Sequence, residues 1–172
     1  MFLKILECIN MLAITYQDFK YRAIHWLLFL SLAILFAIDG IKSQSIIQYG
    51  IGVAFNVVLI ILQFSILFLI YSIKGKTLNN LLNRTIGTGD IVFILTLTLA
   101  FSWQNFLFYY IAGMIFAILI WTLIKMFSNS SRELIPFAGL MSFFCFIIFL
   151  FEMNSTSIKR FSNDLITRLI NG

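Results

Sequence analysis

The chain has 172 residues, 61% of them hydrophobic and only 11% charged, with a formal net charge of +5. Soluble domains have about one quarter of their residues charged, so this composition excludes an ordinary soluble enzyme and indicates a polytopic membrane protein. The positive balance then belongs to topology and lipid headgroups, not to nucleic acid, and Cys8 and Cys145 lie in apolar stretches without a CxxC spacing or a His partner, which argues against a disulfide framework and a structural zinc.

Crossing a hydrocarbon core takes about 20 helical residues, fewer where polar ends snorkel. Six segments meet that need, two of them marginally. The first, 1–17, is short and carries Lys4 and Glu7 near its outer end. It leads into charged residues without a small-x-small cleavage site, so it reads as a retained helix, not a removable signal. The second, 24–41, opens on His25 and Trp26 as interfacial anchors. The third, 50–73, is long enough to tilt; its Asn56 and Gln63 share a face suited to bonding a neighbouring helix.

The fourth, 90–102, is so short that residues 87–89 are expected at membrane depth, where irregular backbone is tolerated only inside protein or beside a wet cavity. Residues 106–126 and 134–151 make the fifth and sixth. From Ile158 onward, Phe161, Leu165, Ile166, Leu169 and Ile170 recur at helical spacing, with Lys159, Arg160, Asn163, Asp164 and Thr167 on the other faces. That pattern predicts an amphipathic helix on the membrane surface or on the bundle. The expected fold is all-α: a six-transmembrane-helix bundle over 1–153 with an amphipathic surface tail over 154–172.

Loops one, three and five hold Lys20, Arg22, Lys74, Lys76, Arg84, Lys125 and Arg132, whereas the opposite loops and N-terminus hold Lys4 and Lys42, joined by Lys159, Arg160 and Arg168 of the tail. The positive-inside rule makes the odd loops cytoplasmic and turns both termini outward.

Of the seven acidic residues, Glu7, Asp39, Glu133, Glu152 and Asp164 fall near predicted ends, in loops or in the tail, where solvated or ion-paired roles are expected. Asp18 and Asp90 differ. One closes the first span and the other opens the fourth, so in a six-span bundle both face the same side. Two carboxylates meeting at a partly dry site cannot both stay ionised. One can take a proton from water while the other donates to a scissile carbonyl, the aspartic protease solution. A helix N-terminus favours an anion, which makes Asp90 the more easily ionised and leaves the proton to Asp18. Gly87 and Gly89 permit positive φ and close approach of a substrate backbone.

Here the residues resemble a family. The stretch "IGTGDI" at 86–91 resembles the GxGD signature of membrane aspartyl proteases, and "DFKYRAI" at 18–24 is similar to the first-aspartate motif of type IV prepilin peptidases. "ELIPFAG" at 133–139 is similar to the Ile-Pro-Phe segment that opens the last helix of that family. The resemblance implies an endopeptidase of the cytoplasmic (inner) membrane that removes basic leaders from prepilin-like proteins on the cytoplasmic side. Asp18 and Asp90 would be its catalytic pair, Gly87 and Gly89 its substrate-facing loop, and Arg22 and Pro136 supporting residues. His25 stands where many members have Pro, Val92 where many have Lys, and Ala138-Gly139 where Gly-Pro is usual. The paired CxxC motifs of the larger bacterial enzymes are absent, so neither zinc, S-adenosylmethionine nor any other cofactor is expected. Two other readings remain: a catalytically silent pilin-binding or assembly protein, and a small transporter using the two aspartates as an ion site.

Overall fold

The computed structural model describes residues 1–73, 87–127, 135–154 and 160–161. These form six helices and no strand: α1 (Phe2–Tyr21), α2 (Trp26–Ser43), α3 (Ile46–Ile73), α4 (Thr88–Leu97), α5 (Trp103–Phe127) and α6 (Phe137–Asn154). Lys74, Lys76, Arg84, Arg132 and Glu133, and with them the expected amphipathic helix beyond Phe161, lie outside the described residues.

The chain is an all-α membrane protein. Helices α2, α3, α5 and α6 are long and apolar enough to cross a bilayer. The two segments read as marginal are the two that fall short of that standard. Helix α1 has 20 residues but includes Lys4, Glu7, Asp18 and Lys20, and α4 has 10.

Helix α1 packs most extensively against α6 and α2, while α6 also contacts α5 and α4. Met11, Ile14, Leu32, Phe36 and Phe149 are sealed in this core, and α3 and α5 turn rows such as Ile61, Leu62, Leu69, Ile118 and Leu119 outward. Lipid is as apolar as these side chains, so close packing and interhelical bonds must hold the helices together. Gly113 shows the packing: a Cβ there would come within 2.7 Å of Met141 Sδ.

Three of the helix ends have an identifiable cause. Helix α1 stops where Arg22 turns into the left-handed region (φ 56, ψ 21) and its N–H donates to the Asp18 carbonyl at 3.1 Å. At the start of α2 the His25 N–H donates to Gln17 Oε1 at 2.9 Å, and the Leu27 N–H reaches His25 Nδ1. Helix α4 tightens through Thr98–Ala100, each N–H reaching three residues back. Asn56 on α3 donates to the carbonyls of Thr98 (2.9 Å) and Phe101 (3.0 Å), and the Tyr49 hydroxyl donates to that of Leu99 (3.1 Å). These bonds satisfy backbone groups that lipid could not.

The irregular backbone inside the bundle is therefore 98–102, not the expected 87–89. Thr88 and Gly89 already belong to the first turn of α4, and Gly87 is exposed. The interhelical role expected of Asn56 and Gln63 is seen for both, Gln63 bonding the Tyr110 side chain of α5.

Candidate active site

Asp18 lies in the last turn of α1 and is buried, with 8% of its surface exposed. Asp90 is the third residue of α4 and is half-buried. The two meet at the N-terminus of α6. A helix leaves its first N–H groups without intrahelical partners, and here two successive ones are claimed from outside. The Ala138 N–H donates to Asp90 Oδ1 at 3.0 Å, and the Gly139 N–H donates to Asp18 Oδ2 at 2.6 Å. Successive peptide nitrogens in a helix are about 3 Å apart, so these two carboxylate oxygens lie no more than about 9 Å from each other. The two carboxyl groups interact electrostatically, and the positive charge of Arg22 acts on both.

Asp90 is held at both oxygens. Its Oδ2 accepts the Gly87 N–H at 3.3 Å, while the Gly87 carbonyl accepts the N–H groups of Asp90 and Ile91, so aspartate and glycine close the first turn of α4 on each other. Gly87 sits at φ −69, ψ 141, in the ordinary extended region, and Gly89 is helical. The positive φ anticipated for these glycines is not used. What Gly87 provides is room, because a Cβ there would lie 3.1 Å from Asp90 Oδ2.

Pro136 stands immediately before α6, where its missing N–H costs nothing, and its carbonyl accepts the Leu140 N–H at 3.0 Å. The Arg22 guanidinium lies 5.4 Å from the Trp121 ring centroid. Nearby on α1, Lys20 Nζ donates to the Tyr16 hydroxyl at 2.6 Å and lies over the Tyr16 and Tyr21 rings. Cations and exposed aromatics at one end of a bundle have the character of a membrane–water interface.

Two parts of this arrangement were not read from the sequence. The amides of Ala138 and Gly139 gave no signal, because a backbone donor has no residue type. The helical pattern puts Arg160 on a polar face of the tail, whereas it is fully buried at the opposite end of the bundle. Its guanidinium donates to Glu152 Oε2 (2.6 Å), Glu7 Oε2 (3.1 Å) and Asp39 Oδ2 (2.7 Å), and Lys4 Nζ lies 3.2 Å from Glu152 Oε1. Arg160 and Phe161 thus contact the bundle. A hint was present: Glu7, Asp39 and Glu152 fall at one end of three helices with only Lys4 and Lys42 to balance them.

Among the described residues no group of three His, Cys, Asp or Glu side chains is placed to hold a metal ion. Cys8 and Cys145 are free and buried. The arrangement at α6 can exchange protons with a group presented beside Gly87, since it joins two carboxylates at a helix N-terminus with one of them partly open. No protein-family model, curated protein or solved structure matches the chain.

Proposed function

We propose that this protein is a membrane aspartyl endopeptidase that uses Asp18 and Asp90 to hydrolyse a peptide bond at the membrane edge. One observation carries the proposal: two carboxylates from distant parts of the chain converge on adjacent amides at one end of the bundle. A cap for α6 would need only one of them.

The pair shares one proton. Asp90, with backbone N–H groups on both oxygens, is the ionised member and removes a proton from water as the water oxygen attacks the scissile carbonyl carbon. Asp18 gives its proton to the carbonyl oxygen, forming a tetrahedral diol. Collapse of the diol breaks the C–N bond; Asp90 passes its proton to the leaving amine, and Asp18 recovers one from the diol hydroxyl. Gly87 and Gly89 line the approach to Asp90, and Arg22 offsets part of the pair's charge.

The substrate class rests on the resemblance of 18–24, 86–91 and 133–139 to prepilin peptidases: prepilin-like proteins cut just before their hydrophobic N-terminal helix. The Lys and Arg distribution supports a cytoplasmic orientation for this end of the bundle, in keeping with a protein of the cytoplasmic membrane. Burial of Arg160 among three acids removes one cation from the opposing count and strengthens that orientation.

A second reading, a small ion-coupled transporter, draws on the buried acids at both ends of α1, Glu7 and Asp18. Co-expression with prepilin-like proteins separates the readings. Wild type should shorten the substrate, while Asp18→Asn and Asp90→Asn should not. Proton-coupled flux without cleavage would support the transporter, and binding without either would support a silent partner.

A further inference from the structure

Gly139 is engaged by α1 on both sides of its residue. Its N–H donates to Asp18 Oδ2, and its carbonyl accepts the Thr15 hydroxyl at 3.2 Å. One turn further along α6 the buried Ser142 hydroxyl donates to the Met11 carbonyl at 2.9 Å. Helix α6 is therefore registered on α1 residue by residue, and the contact is tightest at Asp18. A Cβ at position 139 would lie 3.0 Å from both Asp18 Cβ and Asp18 Oδ2, and 3.2 Å from Phe19 Cδ2. Asp18 Cβ is rigidly tied to the α1 backbone, so it cannot swing clear as the end of a long side chain could.

We infer that Gly139 is a positioning residue that sets the carboxylate of Asp18 within the dyad, by donating its N–H and by having no side chain. This deepens the endopeptidase reading and rests on it for its catalytic consequence. A donor fixed on Oδ2 holds the carboxylate in one orientation. Ala138 supplies the equivalent amide to Asp90, but its Cβ is accommodated. Of the two α6 amides, only the one that serves Asp18 demands glycine. The groups whose charge bears on Asp18 are Asp90 from α4 and Arg22 at the end of α1.

The test uses the full chain in lipid nanodiscs. With glycine labelled in nitrogen-15, the Gly139 amide resonance of the wild type should follow the ionisation of Asp18 as pH is varied. That inflection should vanish in Asp18→Asn and persist, with a changed midpoint, in Asp90→Asn. This readout needs no substitution at 139 and no catalysis. In the cleavage assay, Gly139→Ala should lower kcat by about 10- to 100-fold with KM changed less than about twofold, and should move one limb of the pH profile. Thr15→Val, which removes the hydroxyl bonds to the Met11 and Gly139 carbonyls but leaves the Gly139 N–H on Asp18, should leave that profile in place.

A Gly139 amide indifferent to pH, or a Gly139→Ala protein with wild-type kcat and profile, would overturn the inference while leaving the endopeptidase reading intact. An amide that follows Asp18 in a protein that cleaves nothing would uphold the positioning and remove the endopeptidase reading.

Discussion

Arg160 Nη2 lies 3.1 Å from Glu7 Oε2, with both side chains fully sealed from solvent. The same guanidinium reaches Asp39 and Glu152, with its Cζ 3.6 Å from the Phe149 ring centroid, and the Arg160 carbonyl accepts bonds from the Ser102 N–H and the Asn105 side chain. One residue beyond α6 thereby joins α1, α2, α6 and the start of α5. Removing one partner of a buried ion pair costs about 3–5 kcal/mol, because the other is left charged and unpaired. Arg160→Ala should therefore lower the thermal midpoint of the purified protein sharply. Arg160→Lys, which keeps the charge but cannot fork between carboxylates, should lose less. Equal midpoints for Arg160→Ala and wild type would remove Arg160 from the framework.

The glycines on either side of Thr88 should respond differently to alanine. Gly87→Ala requires no unusual backbone at φ −69, but its Cβ would crowd Asp90 Oδ2 at 3.1 Å. It should reduce turnover with little change in stability. At Gly89 a Cβ would meet Phe29 and Ile24 at 3.9–4.0 Å, ordinary contact distances. Within a helix, Gly→Ala is worth about 0.5–1 kcal/mol, so Gly89→Ala should melt slightly higher, and any loss of activity there should appear in KM. Thermal melts and steady-state kinetics on the two variants decide the matter.

Asn56 supports the break after α4. Its side-chain amide is the donor for the carbonyls of Thr98 and Phe101 inside the bundle. Asn56→Leu would leave both without that donor, at about 1–3 kcal/mol for each buried group left unsatisfied. The expected result is faster amide hydrogen exchange confined to 95–106, measured by mass spectrometry. Exchange unchanged in that segment would show that the turn is held by other contacts.

Much of the helical layout follows from apolar run length alone, because in lipid the backbone must satisfy itself within each segment. Run length also separated the four full-length spans from the two doubtful ones. The extra turn of α1 leaves a weaker trace in the sequence. Tyr16 to Tyr21 is mixed in polarity, and its helicity comes from packing against α6. The convergence of Asp18 and Asp90 followed from counting spans, a topological inference that survives errors of a few residues in each boundary. The amide partners of the dyad and the burial of Arg160 depend on how helix ends meet. No local pattern encodes such meetings: Arg160 has the sequence surroundings of an exposed amphipathic tail and becomes internal only because three acids from other helices await it.

The central claim is that the Asp18–Asp90 pair is an acid–base dyad and not a structural cap for α6. Asparagine separates the two, since its side-chain oxygen can still accept the Ala138 or Gly139 N–H but cannot carry the proton. The direct measurement is N-terminal sequencing of a prepilin-like protein co-expressed with wild type, Asp18→Asn or Asp90→Asn, at matched membrane levels of each. The account predicts cleavage before the hydrophobic helix with wild type and a loss of about 10²-fold or more in either variant. Cleavage by Asp18→Asn or Asp90→Asn at the wild-type rate would contradict it and leave the two carboxylates as caps.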